Sequence, residues 1–304
     1  MSEIECSAVT PECPVEDTIL GYYPILGVNA FFLGFFALCG AIQLGMGIRY
    51  KTWTYMTAVL LGCAGEAGGY AGRVLMHSNP WGDIGFNLQI VLLIFSPAFL
   101  AAGIYLSLKH IVIQFGESWS RLRPAWYTYI FIACDVSSLV MQSAGGALAA
   151  TADDGSSLLD IGTNLMIAGI IWQVVILLVF AGFAADYSFR TYKRKEQLSA
   201  SALALWNSRS FHLFVAGLVA AYVGILVRCI YRIPELVAGW GSELMRNEID
   251  FIILEGVMIV ISVTALTIFH PGVFFPALAS GFGKPGHTRG KSVSDSDVEM
   301  MDRA

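Results

Sequence analysis

Charged residues are scarce in this chain of 304 residues, where they make up 13% of the sequence against 56% for hydrophobic residues. Soluble domains contain about 25% charged residues, so the composition excludes an ordinary soluble domain and is typical of a membrane protein. The first 20 residues are acidic and lack the basic segment of a secretory signal peptide. We therefore expect the first apolar segment to be an uncleaved anchor.

Several motifs of catalysis are also absent. The sequence has no GxxxxGK[ST] phosphate loop and no GxSxG nucleophile elbow. Residues 249–269 contain no lysine that could bind retinal as a Schiff base. The intramembrane zinc hydrolases need several converging ligands, whereas His77, His212 and His270 are few and scattered, and we expect them to be interface or capping residues. The sequence therefore predicts neither an enzyme nor a cofactor.

Long apolar runs, in contrast, are abundant. A helix of about 20 apolar residues crosses a hydrocarbon core of about 30 Å, and seven runs reach that length. The apolar residues in them are continuous and do not alternate, which favours helices over barrel strands. The sequence thus predicts an all-α polytopic membrane protein, a seven-transmembrane-helix bundle with spans at residues 24–46, 54–76, 85–108, 125–149, 158–183, 211–232 and 249–269.

Basic residues are distributed unequally between the connections. The connections after the second and fourth runs carry acids and no Lys or Arg. Because basic loops stay in the cytoplasm, we predict that the N terminus is outside and the C terminus is cytoplasmic. The longest connection, residues 184–210, is basic and aromatic, and it either lies on anionic lipid or extends a helix into solvent. The connections after the first, third and fifth runs contain Arg49, Lys51, Lys109, Arg121, Arg123, Arg190, Lys193, Arg194, Lys195 and Arg209.

Two polar tails flank the predicted seven-helix domain, which covers residues 24–272. Residues 1–23 form an extracellular tail in this topology, and residues 273–304 are Gly- and Ser-rich and are predicted to be a disordered cytoplasmic tail. Cys6 and Cys13 lie close together in the outer tail, where an oxidising environment permits a disulfide bond.

Ionisable side chains interrupt the apolar runs at helical spacing. Glu66, Tyr70 and Arg73 are four and three residues apart, so they project from one face of the second helix. Glycines beside this face allow a neighbouring helix or a ligand to approach closely. Similar stripes are predicted on the fourth helix (Asp135, Gln142), the sixth (Arg228, Arg232, Glu235) and the seventh (Glu248, Glu255), with Asn164 and Gln173 in a different phase on the fifth.

Charged groups at bilayer depth cost at least about 2.5 to 3.5 kcal/mol each, and they usually face the bundle interior or an aqueous cavity. With the predicted topology, Arg73, Arg228 and Arg232 fall in the outer half of the membrane, whereas Glu66 and Asp135 lie deeper. We therefore predict a polar cavity that opens outward. In the alternative interpretation, these groups only hold the helices together by hydrogen bonds.

Six segments resemble, in order, the fungal lipid-translocating exporters, a seven-span group that includes the sphingoid long-chain-base exporters and the aminocholesterol-resistance proteins. The segments are GEAGGYAGR, SPAFLAAGIYLSLKH, DVSSLVMQSAGGAL, IGTNLMIAGIIWQ, RCIYRIPELVAGWGSE and FHPG. The last span departs from the family, with Ile252 and Glu255 where relatives commonly have Tyr and Asp. The resemblance implies functional roles for Glu66, Tyr70, Arg73, Asp135, Gln142, Gln173, Arg228, Arg232 and Glu235.

The resemblance also implies export of amphiphilic lipids across the plasma membrane. We predict an ATP-independent transporter of sphingoid long-chain bases or related toxic amphiphiles, with membrane lipids and no nucleic acid as partners. Glu66, Asp135 and Glu255 are candidates to receive an ammonium head, whereas the arginines would favour a phosphate. The alternatives are a heptahelical lipid sensor that signals through residues 184–210 and, less favoured, a lipid-modifying enzyme.

Overall fold

The computed structural model describes residue 6, residues 8–152 and residues 156–274. Its only β contact in that part of the chain is an isolated bridge between Thr10 and Cys13, so the prediction of an all-α protein is confirmed. The predicted disordered tail lies, from residue 275 onward, outside the described residues.

Helices account for nearly all of the described chain. They are α1 (Leu26–Tyr50), α2 (Trp53–Ser78), α3 (Asp83–Phe115), α4 (Pro124–Ala150), α5 (Ser157–Lys193), α6 (Ala200–Trp206), α7 (Arg209–Val237), α8 (Glu243–Arg246), α9 (Glu248–Asp250), α10 (Met258–Ile268) and α11 (Pro271–Phe274). A π-helical turn, Phe251–Val257, joins α9 to α10, so that one helical segment runs from Glu248 to Ile268. The 3-10 turns are Val15–Asp17, Glu117–Trp119 and Lys195–Gln197.

Local sequence signals explain where several helices begin and end. Pro124 opens α4, where its missing N–H costs no hydrogen bond. The hydroxyl groups of Ser156, Ser199 and Ser208 accept backbone hydrogen bonds at the starts of α5, α6 and α7, as N-cap residues do. Lys51 ends α1 with a φ of 56°, which turns the chain directly into α2.

Within the described residues, six helical segments are long and apolar enough to cross a membrane, namely α1, α3, α4, α5, α7 and the segment from Glu248 to Phe274. The protein is therefore a multi-pass membrane protein. Helix α2 has 26 residues but falls outside this group, because glycines and the buried Glu66 and Arg73 lower its hydropathy. The predicted second span is thus a helix of the expected length whose own hydropathy is too low to mark it as a membrane crossing.

The basic connection at residues 184–210 is mostly helical. Helix α5 continues to Lys193, about ten residues beyond the predicted span, and α6 follows after a short turn. Asp186 on this extension pairs with Arg121 and Arg190, each at 2.9 Å. Of the two interpretations offered for this connection, the helical extension agrees with the structure.

The helices form one bundle with two chemically different ends. We call the end that carries the basic connections 116–123 and 194–208 the basic end, and the opposite end, with residues 8–25, 79–82 and 238–247, the acidic end. At the acidic end, Cys6 and Cys13 form a disulfide bond with their Cα atoms 5.8 Å apart.

Glycines set the closest helix contacts. A Cβ atom at Gly72 would lie 2.6 Å from the carbonyl oxygen of Gly85 and 2.8 Å from the backbone nitrogen of Gln89. A Cβ at Gly145 would lie 2.6 Å from the carbonyl oxygen of Gly162. The glycine face of α2 therefore receives α3, and α4 packs on α5 in the same manner.

Three of the five histidines in the sequence, His77, His212 and His270, have the structural roles expected of them. His270 follows the last long helix, where its Nδ1 accepts a hydrogen bond from Gly272 N at 3.0 Å and its ring packs against Tyr50 and Tyr55. His77 contacts the carbonyl oxygen of Pro24 at 2.8 Å, and His212 that of Ser208 at 3.0 Å. These contacts confirm that the histidines are interface or capping residues.

Candidate functional site

Arg228, on α7, lies at the centre of a buried group of ion pairs. Its guanidinium donates to Glu66 on α2 at 2.7 Å and to Glu255 in the π-helical turn at 2.9 Å. It also donates to the main-chain carbonyl of Leu93 on α3. The side chains of Glu66 and Glu255 are fully buried, and that of Arg228 is 1% exposed. One cation therefore joins four elements that are distant in the sequence.

Arg232 extends this group by one turn of α7 toward the acidic end. Its guanidinium binds Glu235 at 2.7 Å and lies 3.7 Å from the second oxygen of Glu255. We call these five residues, Glu66, Arg228, Arg232, Glu235 and Glu255, the Arg228 network. Three carboxylates share two guanidiniums in it, so a fully ionised network carries one excess negative charge.

Arg73 forms a second centre, nearer the acidic end. It donates to Glu248 at 3.1 Å, to Asn29 at 2.9 Å and to Tyr22 at 3.1 Å. Its guanidinium also lies 4.0 Å from the centre of the Phe251 ring, which is a cation–π contact. A longer bond of 3.4 Å reaches Gln89 on α3. We call these residues the Arg73 cluster.

Tyr22 closes the Arg73 cluster from the N-terminal segment, outside the membrane helices. Burial raises the pKa of its hydroxyl, and the nearby Arg73 guanidinium only partly offsets this effect. The side chain therefore stays a neutral phenol at physiological pH and accepts the hydrogen bond from Arg73. In this way the tail before α1 is joined to α2 by a polar contact.

Tyr70 lies between the two centres but in an apolar setting. Its ring packs against Phe32 and Phe36 on α1, with centroids 4.8 and 5.7 Å away. The hydroxyl is buried and has no hydrogen-bond partner in the described chain. The Tyr70 hydroxyl also lies close to the π-helical turn, because a Cβ atom at Gly256 would be 3.0 Å from it.

The π-helical turn explains why Glu248 and Glu255 act in different places. In an α-helix a spacing of seven residues brings side chains to nearly the same face, which is the basis of the predicted shared stripe. A π turn has one more residue in each hydrogen-bonded ring, and this turn begins after Glu248 and contains Glu255. Glu248 accordingly pairs with Arg73, whereas Glu255 pairs with Arg228 and Arg232.

The predicted residues of α4 and α5 are only partly brought to this centre. The amide of Gln142 donates to that of Gln173 at 3.2 Å, and both line a small void beside Arg228 and Arg232. Asp135 is 3% exposed and faces the Tyr105 hydroxyl on α3, but it forms none of the ion pairs of the described residues. It is thus a buried acid apart from the Arg228 network.

Asn164 is the predicted site residue that the structure places elsewhere. It is exposed on α5, nine residues before Gln173. Nine residues amount to two and a half turns of an α-helix, so the two side chains point to opposite faces. Asn164 therefore lies apart from Gln173 and the buried centres, and its role as a substrate-binding residue stays a prediction.

The predicted outward cavity is also not found in the form expected. Beside the Arg228 network and the Arg73 cluster, the voids have volumes of about 20 Å³ each, which is room for about one water molecule. A cavity of about 520 Å³ lies instead toward the basic end and is almost wholly apolar. Its walls come from α3, α5, α6 and α7 and include Ile104, Phe115, Phe180, Trp206, Phe211 and Tyr222.

Several residues of these centres were missed from the sequence. Asn29 and Gln89 are buried amides within apolar runs, and this isolation is a signal that could have identified them. Tyr22, Tyr105 and Phe251 carry no comparable signal, because aromatic residues are common throughout the chain. Their roles depend on which helices become neighbours.

Comparison with known sequences agrees with this architecture. The sequence model of the family described as "RTA1 like protein" matches residues 59–277. The chain is 31% identical to the sphingoid long-chain base transporter RSB1 of Saccharomyces cerevisiae strain Lalvin EC1118, over 91% of this chain and 80% of that protein. No solved structure matches it.

Two further relatives from Saccharomyces cerevisiae carry other names. Protoporphyrin uptake protein 1 is 29% identical over 70% of this chain and 67% of its own length. Protein RTM1 is 26% identical over 76% of this chain and 73% of its own length. The family match covers most of the helical bundle, including the Arg228 network, and the resemblance to fungal lipid exporters is confirmed. The chain therefore belongs to the RTA1-like family.

Proposed function

We propose that this protein is an ATP-independent transporter that moves amphiphilic lipids with a cationic head, most favourably sphingoid long-chain bases, across the plasma membrane. The observation that carries the proposal is the Arg228 network, a buried polar centre with more carboxylates than guanidiniums inside an apolar bundle. An excess carboxylate suits an ammonium head, and apolar walls suit a hydrocarbon chain.

The names of two relatives support the amphiphilic character of the substrate, though not the sign of its charge. One is named a sphingoid long-chain base transporter and another a protoporphyrin uptake protein. Both named substrates combine a large apolar body with charged groups. A protein that moves either molecule needs a route through the membrane in which polar groups are shielded from lipid. Buried ionisable residues commonly mark such a route.

The topology that we propose has seven spans, with the N terminus outside and the C terminus in the cytoplasm. Helix α2 is about 39 Å long at 1.5 Å per residue, and it is enclosed between α1 and α3, so its polar face need not meet lipid. The tail disulfide between Cys6 and Cys13 belongs in an oxidising compartment, and the basic connections belong in the cytoplasm.

No phosphate-binding loop of the GxxxxGK[ST] type is present, which supports an energy source other than ATP bound to this chain. The lipid gradient itself or an ion gradient would drive net movement. No catalytic role is needed for any residue of the network, and the proposed protein is not an enzyme.

The test is reconstitution of the purified chain in liposomes with a fluorescent sphingoid base in one leaflet. The wild-type protein should accelerate flipping of the base. Glu66→Gln, which removes one charge-assisted hydrogen bond worth about 1.5 to 3 kcal/mol, should slow flipping about tenfold or more. Glu243→Gln, at an exposed position on α8, is the matched control and should flip the base at the wild-type rate.

Two results would reject the proposal. Saturable binding of the base without any flipping would favour the lipid sensor, and a lipid product of changed mass would favour an enzyme. Thermal unfolding of each variant in detergent, measured in parallel, separates a loss of transport from a loss of folded protein.

A further inference from the structure

The apolar cavity ends close to a carboxylate, that of Asp135, which pairs with no cation among the described residues. Along α3 the cavity extends from Ile104 to Phe115, which is about 16 Å at 1.5 Å per residue. Its volume of about 520 Å³ falls within the range of about 300 to 1,000 Å³ typical of ligand pockets. Phe180 and Tyr222 line it together with Ile104, near the middle of the bundle.

One aromatic layer separates this end of the cavity from Asp135. The Phe180 ring packs at a tilt of 55° against Tyr105, with centroids 4.5 Å apart. Tyr105 also packs against Phe131, one turn of α4 before Asp135, and its hydroxyl faces the Asp135 carboxyl group. The Phe180 ring also contacts Tyr222, at 6.1 Å between centroids. From the cavity inward, the groups therefore lie in the spatial order Phe180, Tyr105 and the Asp135 carboxylate.

Asp135 differs from the other buried acids in its lack of a cation. Glu66, Glu235 and Glu255 each pair with an arginine, whereas both oxygens of Asp135 are buried without a hydrogen-bond partner among the described residues. A buried carboxylate with no partner is costly. The cost falls when a cation or a proton comes to it.

We propose that the cavity binds the hydrocarbon chain of a long-chain amine and that Asp135, with Tyr105, receives its ammonium group. This inference rests on the proposed transport of cationic amphiphiles and names the place where the substrate is held. The head reaches Asp135 when the Phe180 ring turns aside. From there the Arg228 network is the next polar centre toward the acidic end, because Gln142, two turns after Asp135 on α4, lines the small void beside Arg228 and Arg232.

The experiment is photocrosslinking in membranes with a diazirine-bearing long-chain amine, compared with the alcohol of the same chain length. Mass spectrometry of the peptides should place the label on α5 and α7 at the cavity. Ala181→Phe fills the cavity and should lower labelling by both probes about tenfold, a loss of about 1.4 kcal/mol. The same substitution at Ala168, on the exposed face of α5, is the control and should leave labelling unchanged.

Asp135→Asn tests the charged end of the site. The wild-type protein should take up the amine about tenfold more efficiently than the alcohol, and the variant should label equally with both. Loss of folded protein would lower both signals together, so the ratio reports on the carboxylate. Wild-type labelling in Ala181→Phe would reject the cavity, and an unchanged ratio in Asp135→Asn would reject Asp135.

These results are separable from the test of transport. Cavity labelling by the amine in a protein that does not flip lipids would keep the binding site and reject the transporter. Flipping by the wild-type chain with the label placed elsewhere would keep the transporter and reject this site.

Discussion

At the scale of single residues, Arg228 is the side chain on which the buried centre depends. It is 1% exposed and pairs with Glu66 and Glu255; without it Glu66 would have no cation, and Glu255 would keep only the longer contact to Arg232. Removing one partner of a buried ion pair typically costs about 3 to 5 kcal/mol. This burial bears on stability as well as on transport, so the two effects need separate measurements.

Arg228→Ala should therefore lower the free energy of unfolding by about 3 to 5 kcal/mol, because it leaves the buried Glu66 without a guanidinium and Glu255 with only its longer contact to Arg232. Denaturant unfolding in mixed micelles measures this change. Arg209→Ala removes an exposed arginine at the start of the same helix and should be nearly neutral. Equal stability of the two variants would show that the ion pairs contribute little to the fold.

The sequence allowed the members of the Arg228 network to be predicted, but not their pairing. Charged residues in an apolar run are visible in any hydropathy analysis, and helical spacing places Glu66 and Arg73 on one face. Which arginine meets which acid depends on helix packing, and α2 in fact directs these two residues to different partners. The solitary state of Asp135 could not be predicted for the same reason.

At the scale of helices, hydropathy located the helices in the sequence, but it did not reveal the π-helical turn. Each predicted span lies on a helix of the structure, and most ends agree to within a few residues. The π-helical turn was not foreseen, because no local signal in FIILEGV distinguishes it from an ordinary turn. The close contact of α2 and α3, in contrast, was visible as a run of glycines.

Gly72→Ala tests this contact. The added methyl group would meet backbone atoms of α3 at 2.6 and 2.8 Å, which cannot be relieved by a side-chain rotation. We expect a loss of about 1 to 3 kcal/mol in stability, as for other overpacked interiors, measured by thermal unfolding in detergent. Gly182→Ala, where the methyl group meets nothing within 4 Å, should be neutral or slightly stabilising. A stable Gly72→Ala protein would mean that α2 and α3 separate easily.

At the scale of the whole molecule, polarity is divided between the ends. The buried ion pairs lie in the half toward the acidic end, and an apolar cavity occupies the half toward the basic end. The sequence predicted a cavity that opens outward, at the acidic end, whereas the large cavity of the structure lies toward the basic end. Composition can indicate which residues are buried together, but it does not indicate where the helices leave space.

The proposed orientation predicts how thiols react in intact cells. A membrane-impermeant maleimide should label the N-terminal tail only after mild reduction, because Cys6 and Cys13 are joined and outside. A cysteine introduced by Ser210→Cys, at an exposed position of the basic end, should stay unlabelled until the membrane is opened. Labelling of Ser210→Cys in sealed cells would contradict the proposed orientation and indicate the opposite one.

The one-water voids beside the Arg228 network have a consequence for the cell. In the proposed transporter, the ion-paired region with its small voids, and not the wide cavity, would be the narrow part of the route through the described bundle. A transporter of the proposed kind would have to separate these ion pairs each time a substrate molecule passes and re-form them afterwards. A substitution that keeps the ion pairs apart would then make the transporter permeable to small ions. A cell would lose its ion gradients before it lost lipid export.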